Sequence, residues 1–317
     1  MPDGDFIGSS AWGSAGSARG IPAATVTARK RVKHWSERNF ITEVLIPSIF
    51  TPKVGRRNKH KPIFPTVPPG KVGLTWIGHA SFLIQTDRHN ILVDPNWANW
   101  LLVVRRLRHA GMHIDHLPNI DLVLVTHAHF DHLNRSTLRR VANRQPIAIP
   151  SGVRSLVEDL GFHYIHQMDW WDTWSYGGIE ITFVPAKHWG ARVLADRHRG
   201  YGGFVIRYQG RSIYHVGDSA YFEGFREIGR RCQPEVVLMP IGAYDNPSGR
   251  DVHLSPEEAV RAFEDLSGRV LIPMHYGTYR LSYEPMHEPP ERLMGAAAKH
   301  GLLSNIRVLT EGLPEVL

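Results

Sequence analysis

The sequence predicts an α/β fold of two mixed sheets flanked by helices, and three observations predict it. Short β-rich runs bounded by turn residues recur from Lys71 onward. Helical segments fall between the later runs, and neither a linker nor a repeat of solenoid period interrupts the chain from Lys71 to Leu317. In order, strands are expected at 72–77, 81–86, 90–93, 121–126, 178–184, 202–208, 211–216, 235–239 and 269–273. Gln209-Gly210 reads as the turn of a hairpin, because glycine supplies the positive φ that a tight turn requires. The clearest helix begins at Ser255, which caps it; Pro256 occupies the first turn, Glu258 completes a capping box, and Ala259, Phe263 and Leu266 line one face. Further helices are expected at 137–143, 153–160, 221–230 and 290–300.

Composition bounds the class. The 317 residues are 42% hydrophobic and 21% charged, which supports a sizeable core and excludes wholesale disorder, collagen-like repeats and coiled coils. Cys232 is the single cysteine, so there is no internal disulfide and no Cys-x-x-Cys metal pair; a reducing, cytoplasmic setting is expected. Histidine is abundant, at 19 residues, and directs attention to metal ligands.

Charge is uneven. Residues 1–70 hold 11 Lys and Arg against 4 Asp and Glu, which leaves 26 against 26 for 71–317. Residues 1–70 are therefore expected to be a flexible basic extension, and 71–317 the catalytic domain. Within the extension, 1–28 is a Gly/Ser/Ala-rich leader without periodicity, 29–38 is basic, and Phe40 to Phe50 is an apolar run broken by Glu43 and Pro47. Eleven residues cannot span a bilayer, and a polar leader ahead of the basic stretch is unlike a secretory signal. Two uses remain: Phe40, Leu45 and Phe50 packing on the main domain or on a second copy of the chain, or a peripheral contact with the inner membrane face.

The most specific signal follows the strand at 121–126: His127-Ala128-His129-Phe130-Asp131-His132. In a strand-to-loop turn, residues two apart point the same way, so His127 and His129 can share one cation while Asp131 and His132 reach a second. His188, Asp218 and His275 each stand where an apolar strand ends. The set divides into His127, His129 and His188 on one ion and Asp131, His132 and His275 on the other, with Asp218 shared. Two divalent ions about 3.5–4 Å apart would lower the pKa of a bridging water toward neutrality and so produce a hydroxide nucleophile. The chemistry implied is hydrolysis. His/Asp donors accept zinc foremost, and also iron or manganese.

These residues resemble the signature of the metallo-β-lactamase-fold hydrolases. Within that superfamily the chain is most similar to the N-acyl-phosphatidylethanolamine phospholipases D, through WIGHASFLI (76–84), LVDP (92–95), PAKHW (185–189), GDSAYF (217–222), PIGAY (240–244), HLSPEEAV (253–260) and MHYGT (274–278). The resemblance implies an αββα sandwich with the site at the edge between two sheets, and it assigns the same seven ligands. It further implies that Asp94 orients a ligating imidazole and that His253 lies near a substrate phosphate, where it would share the chemistry with Asp131. His79 is read either as a residue supporting the ligands or as a core histidine, Tyr244 either as a pocket or as a core tyrosine, and His109, His113, His163, His166 and His198 as surface or structural. The segment from Trp97 and Trp100–Val104 into Arg105, Arg106 and Arg108 suits a membrane interface, an acyl pocket mouth with phosphate-binding arginines, or a helix covering one end of the sandwich with a solvated basic face.

The leading expectation is a dinuclear phosphodiesterase acting on a small-molecule or lipid phosphodiester. A lactonase similar to the ascorbate-6-phosphate lactonases and a nuclease of the same fold are the alternatives. Charge balance across 71–317 opposes nucleic acid as a partner. Asp218 stands where dizinc β-lactamases commonly place cysteine, and His129 where the flavodiiron branch has a carboxylate, which sets both activities aside.

Overall fold

A computed structural model describes residues 38–55, 62–192, 196–247 and 251–317. The chain order is α1 (Ile46–Phe50), β1 (Gly73–Gly78), β2 (Ser81–Gln85), β3 (Asn90–Val93), β4 (Trp100–Leu101), β5 (Val104–Arg105), β6 (Leu122–Leu124), α2 (Arg135–Val141), β7 (Ile147–Pro150), β8 (Ile165–Met168), β9 (Thr173–Tyr176), β10 (Ile179–Val184), β11 (Gly203–Tyr208), β12 (Arg211–His215), α3 (Gly224–Cys232), β13 (Val236–Pro240), α4 (Pro256–Leu266), β14 (Val270–Met274), α5 (Glu288–Lys299) and β15 (Glu315–Val316). One sheet runs β15-β1-β2-β3-β6-β7-β8 and the other β14-β13-β12-β11-β10-β9. Both are mixed: β1, β2 and β3 pair antiparallel and β3, β6, β7 and β8 parallel, while β9 to β12 pair antiparallel and β12, β13 and β14 parallel.

Strand alternation explains how the layers stack. On β2, Phe82 and Ile84 enter a core shared with Phe183, Phe204 and Ile213 of the second sheet, whereas Leu83 joins a core with Leu138 of α2, Val153 and Val157. Strands buried on both faces read as unbroken apolar runs, which is why 122–124 and 236–240 carry no polar alternation. Each fully buried Leu, Ile or Phe contributes about 1.5–3 kcal/mol. Helix α4 starts as expected, with Glu258 N donating to Ser255 Oγ and Ser255 N to Glu258 Oε2. The hairpin between β11 and β12 turns at Gln209 (φ 47°) and Gly210 (φ 79°).

Three expectations change. The segment 153–160 forms only a 3₁₀ turn at Arg154–Leu156, because it is short and bounded by the left-handed Gly152 and Gly161. The Trp100–Arg105 stretch is a β4–β5 hairpin, not a helix, with Leu102 left-handed (φ 53°) at its turn. The boundary drawn at residue 70 also falls inside the compact unit Arg38–Leu317. Arg38 pairs with Asp245 at 2.7 Å, Phe40 meets Tyr283 edge-on at 5.7 Å, and Val44 is fully buried. Composition placed these residues outside because long-range partners, not local pattern, hold them. Phe50 is 79% exposed and does not pack on the domain, which leaves a second copy of the chain or a membrane surface for it. The leader at 1–28 and the basic stretch up to residue 37 lie outside the described residues. Among the described residues, no helix is long and apolar enough to cross a membrane.

Candidate metal centre

The candidate residues meet at one edge of the sandwich, each on a loop just after a strand or just before a helix. His79 follows β1, Asp94 follows β3, and His127 to His132 follow β6; His188 follows β10, Asp218 follows β12, His253 precedes α4 and His275 follows β14. Gly217 makes this meeting possible. Its φ is +69°, and a Cβ there would stand 2.6 Å from the Gly202 carbonyl oxygen and 3.0 Å from Thr126 Cβ, so only glycine lets the second sheet deliver Asp218 beside the base of the His127 loop.

Two ligand groups result. His127, His129, His188 and Asp218 offer atoms within 4.8 Å of one another, and so do His79, Asp131, His132 and His275. His127 Nε2 and His188 Nε2 approach His129 Nδ1 at 2.9 and 3.2 Å. Asp218 Oδ2 lies between the groups, 3.7 and 3.9 Å from His127 and His188 Nε2, and 3.3 and 3.1 Å from His132 and His275 Nε2. His253 joins Asp218 and His275, its Nδ1 3.8 Å from Asp218 Oδ2.

The donor set fits divalent cations. Nitrogens converge where at most one proton can sit, and His129 Nε2, His132 Nε2, His275 Nε2 and Asp218 Oδ1 are buried without a hydrogen-bond partner. Burial holds the His127 and His188 imidazoles well below their usual range, so both are neutral, the ligating form. Burial opposes charge on Asp131 and Asp218 as well, yet His132, joined by His275, keeps both carboxyls well below the usual carboxylate range. The same carboxylates outweigh burial at His275, which is pushed up to about 9. Bound cations would replace those protons as the counter-charge.

Supporting contacts come from residues both expected and unexpected. Asp94, fully buried, accepts from Thr126 N and Oγ1 at 2.8 and 2.7 Å and holds His132 Nδ1 at 2.7 Å. Thr126 Oγ1 also reaches His127 Nδ1 at 3.0 Å, and Asn96 Nδ2 donates to the Asp131 carbonyl at 2.8 Å. Neither was singled out in the sequence, although Asn96 directly follows the LVDP run. Arg192 spans the loop, donating to the Ala128 and Leu133 carbonyls and stacking on Phe130 at 3.9 Å. Tyr244 is directed elsewhere: its hydroxyl donates to Glu288 Oε1 at 2.7 Å.

His79 is more than a core histidine held by its backbone. Its Nε2 lies 2.9 Å from Asp131 Oδ2, its carbonyl accepts from His275 N and Trp76 Nε1, and its own N donates to Thr278 Oγ1. These bonds hold a non-glycine residue at φ 57°. His79→Ala is expected to weaken cation affinity about 10–100-fold, the usual cost of losing such a supporting contact. His79→Gln, which keeps a donor, should recover part of it. Chelator-competition titration measures this, and equal affinity for wild type and both variants would remove His79 from the role.

A family model described as the beta-lactamase superfamily domain matches residues 89–276. The chain belongs to the metallo-β-lactamase superfamily. Its αββα architecture is that of this fold. It is 32% identical over 240 residues to an uncharacterised protein of Mycobacterium tuberculosis, covering 72% of this chain and 64% of that one. It is 31% identical over 245 residues to a metal-dependent hydrolase of Methanopyrus kandleri, covering 75% and 97%. It is also 29% identical over 242 residues to an N-acyl-phosphatidylethanolamine-hydrolyzing phospholipase D of Caenorhabditis elegans, covering 69% and 68%. A solved metallo hydrolase of Ignicoccus hospitalis superposes with a TM-score of 0.60 at 25% identity, over 78% of this chain and 98% of that one.

Proposed function

We propose that the chain is a dinuclear phosphodiesterase whose substrate is a phospholipid presented at a membrane surface. The observation that carries the two-cation reading is Asp218 Oδ2, which lies within 3.9 Å of four imidazole nitrogens drawn from both ligand groups. His127, His129 and His188 would hold one ion, Asp131, His132 and His275 the other, with Asp218 between them. Zinc suits this donor set foremost, and iron or manganese also fit. When bound, the pair supplies Lewis-acid activation of water and of a phosphoryl oxygen.

The side chains do the rest. Asp94 fixes the tautomer of His132 by accepting a hydrogen bond from its Nδ1–H, and His79 orients Asp131. Burial pulls His253 down to about 4, so it stands neutral, with one N–H to donate to an oxygen that gains negative charge.

Two features favour a lipid. The nematode relative is named for hydrolysis of N-acyl-phosphatidylethanolamine. α1 and the β4–β5 hairpin also share an exposed apolar surface, joined by Arg105 Nη1 donating to the Ile49 and Thr51 carbonyls. On it Phe50 is 79% exposed, Leu102 71%, Val103 63% and Trp100 48%. Such a patch beside cationic Lys53 and Arg105 suits an anionic bilayer surface.

The test compares metal-loaded protein on bis(4-nitrophenyl) phosphate, N-acyl-phosphatidylethanolamine vesicles and an acyl lactone. Phosphodiester hydrolysis is expected. Turnover of the lactone alone would replace this reading with a lactonase. Phe50→Ser with Leu102→Ser should lower partition into anionic vesicles about tenfold or more, given roughly 1.5–3 kcal/mol per buried side chain, with soluble-substrate turnover unchanged. Unaltered sedimentation with vesicles would assign the patch to another contact.

A further inference from the structure

A cavity of about 590 Å³ lies apart from the metal centre and is lined by Trp97, Arg106, Met112, His113, His116 and Arg140 among others. No residue of the ligand groups lines it. The two are separated by Tyr279, whose ring is 5.2 Å from that of His79 on one side and 5.3 Å from the Arg106 guanidinium on the other.

The lining is one-sided in charge: it includes two arginines and several histidines but no Asp or Glu. Arg106 is 2% exposed, yet its partners are all uncharged. Its Nε donates to the Arg108 carbonyl, and its Nη1 to the Asn96 carbonyl and the Tyr279 hydroxyl oxygen. Nη2 has no partner, and neither has the buried His116 Nδ1. At the rim, Asp115 is exposed and already engages Arg140 at 2.7 Å and His113 at 3.4 Å. A guanidinium taken out of water without a counter-charge is costly, and an anion placed against it offsets that cost. The opposite wall is apolar. Trp97 uses its one polar atom on the Met112 carbonyl at 2.9 Å, so what it offers the cavity is aromatic surface.

We propose that this cavity binds an organic phosphate, its dianionic group held by Arg106, His116 and Arg140 and its apolar part lying against Trp97 and Met112. The number of nitrogen donors suits the three terminal oxygens of a phosphate better than the two of a carboxylate.

The test is isothermal titration of metal-loaded full-length protein with phenylphosphonate, whose carbon–phosphorus bond resists hydrolysis, alongside inorganic phosphate and benzoate. Wild type should show two phenylphosphonate events, one competitive with phosphodiester turnover and one not. Arg106 stays unchanged because its Nε and Nη1 hold the Arg108 and Asn96 carbonyls. His116→Ala and Arg140→Ala, checked for folding by thermal melting, should each weaken the non-competitive event about tenfold, the effect of one charge-assisted contact. The inhibition constant of phosphate at the metal centre should stay within about twofold, as independent sites require. A soaked crystal should put phosphorus beside the Arg106 guanidinium. A single competitive event, a second event untouched by both variants, or density for water only would each overturn the proposal. Benzoate binding as tightly as phenylphosphonate would overturn the phosphate class.

Discussion

Asp218→Ala is expected to remove most turnover and about one of two bound metal ions in a single step. The Oδ2 atom stands 3.1–3.9 Å from imidazoles of both ligand groups, and the residue is 2% exposed, so it is the carboxylate placed between the two groups. Without that negative charge, two cations about 3.5–4 Å apart lose the group that offsets their repulsion. Lewis-acid stabilisation of several kcal/mol goes with the lost ion, which corresponds to roughly 10³–10⁴-fold in kcat. Asp218→Asn keeps the shape without the charge and should fall between. The measurement pairs elemental analysis of chelator-free protein with kcat on bis(4-nitrophenyl) phosphate. One ion or none in the wild type, together with full activity, would end the dinuclear reading.

His253→Ala should lower kcat about 10²–10³-fold, the usual loss for one donor to a developing oxyanion, while both metals stay bound. Its Nδ1 is buried and unpartnered, and its ring stacks on His275 at 5.4 Å, so it borders the centre without lying inside either four-residue group. Metal content separates two roles: an ion lost along with activity would make His253 a ligand, whereas intact loading with depressed kcat makes it a donor. Tyr244→Phe is the control, because its hydroxyl is committed to Glu288 and its loss should cost only a few-fold. A drop at Tyr244 as large as that at His253 would join the two in one pocket. Wild-type turnover of His253→Ala on every phosphodiester tried would end the donor role.

The features legible in the sequence are those written at short range. The spacing of His127, His129, Asp131 and His132, the capping box at Ser255 and Glu258, and the Gln209-Gly210 turn each need only a few consecutive residues. The features that were hidden depend on which distant segments meet. Asn96 and Thr126 look ordinary in sequence, and only the β3–β6 pairing brings them under the ligand loop. Strands β8 and β9 escaped notice because they are half-exposed and carry His, Gln, Thr and Ser among their apolar residues. The segment from Arg38 reads as tail by charge, but Asp245 and Tyr283, more than two hundred positions on, hold it to the domain.

The ligands come from both sheets: the His127 loop follows a strand of one, and His188, Asp218 and His275 follow strands of the other. A cation held by Asp131, His132 and His275 is therefore also a cross-link, closing a loop of chain that opens at Asp131 and ends at His275. On the chain-entropy scale used for disulfides, tying off roughly 140 residues restricts the unfolded ensemble by about 5 kcal/mol. A protein whose single cysteine is buried in its core has no sulfur bridge with which to do this. The metal centre would then serve as its long-range staple, so chelation should lower the melting temperature of the whole sandwich even in a variant that no longer turns over substrate.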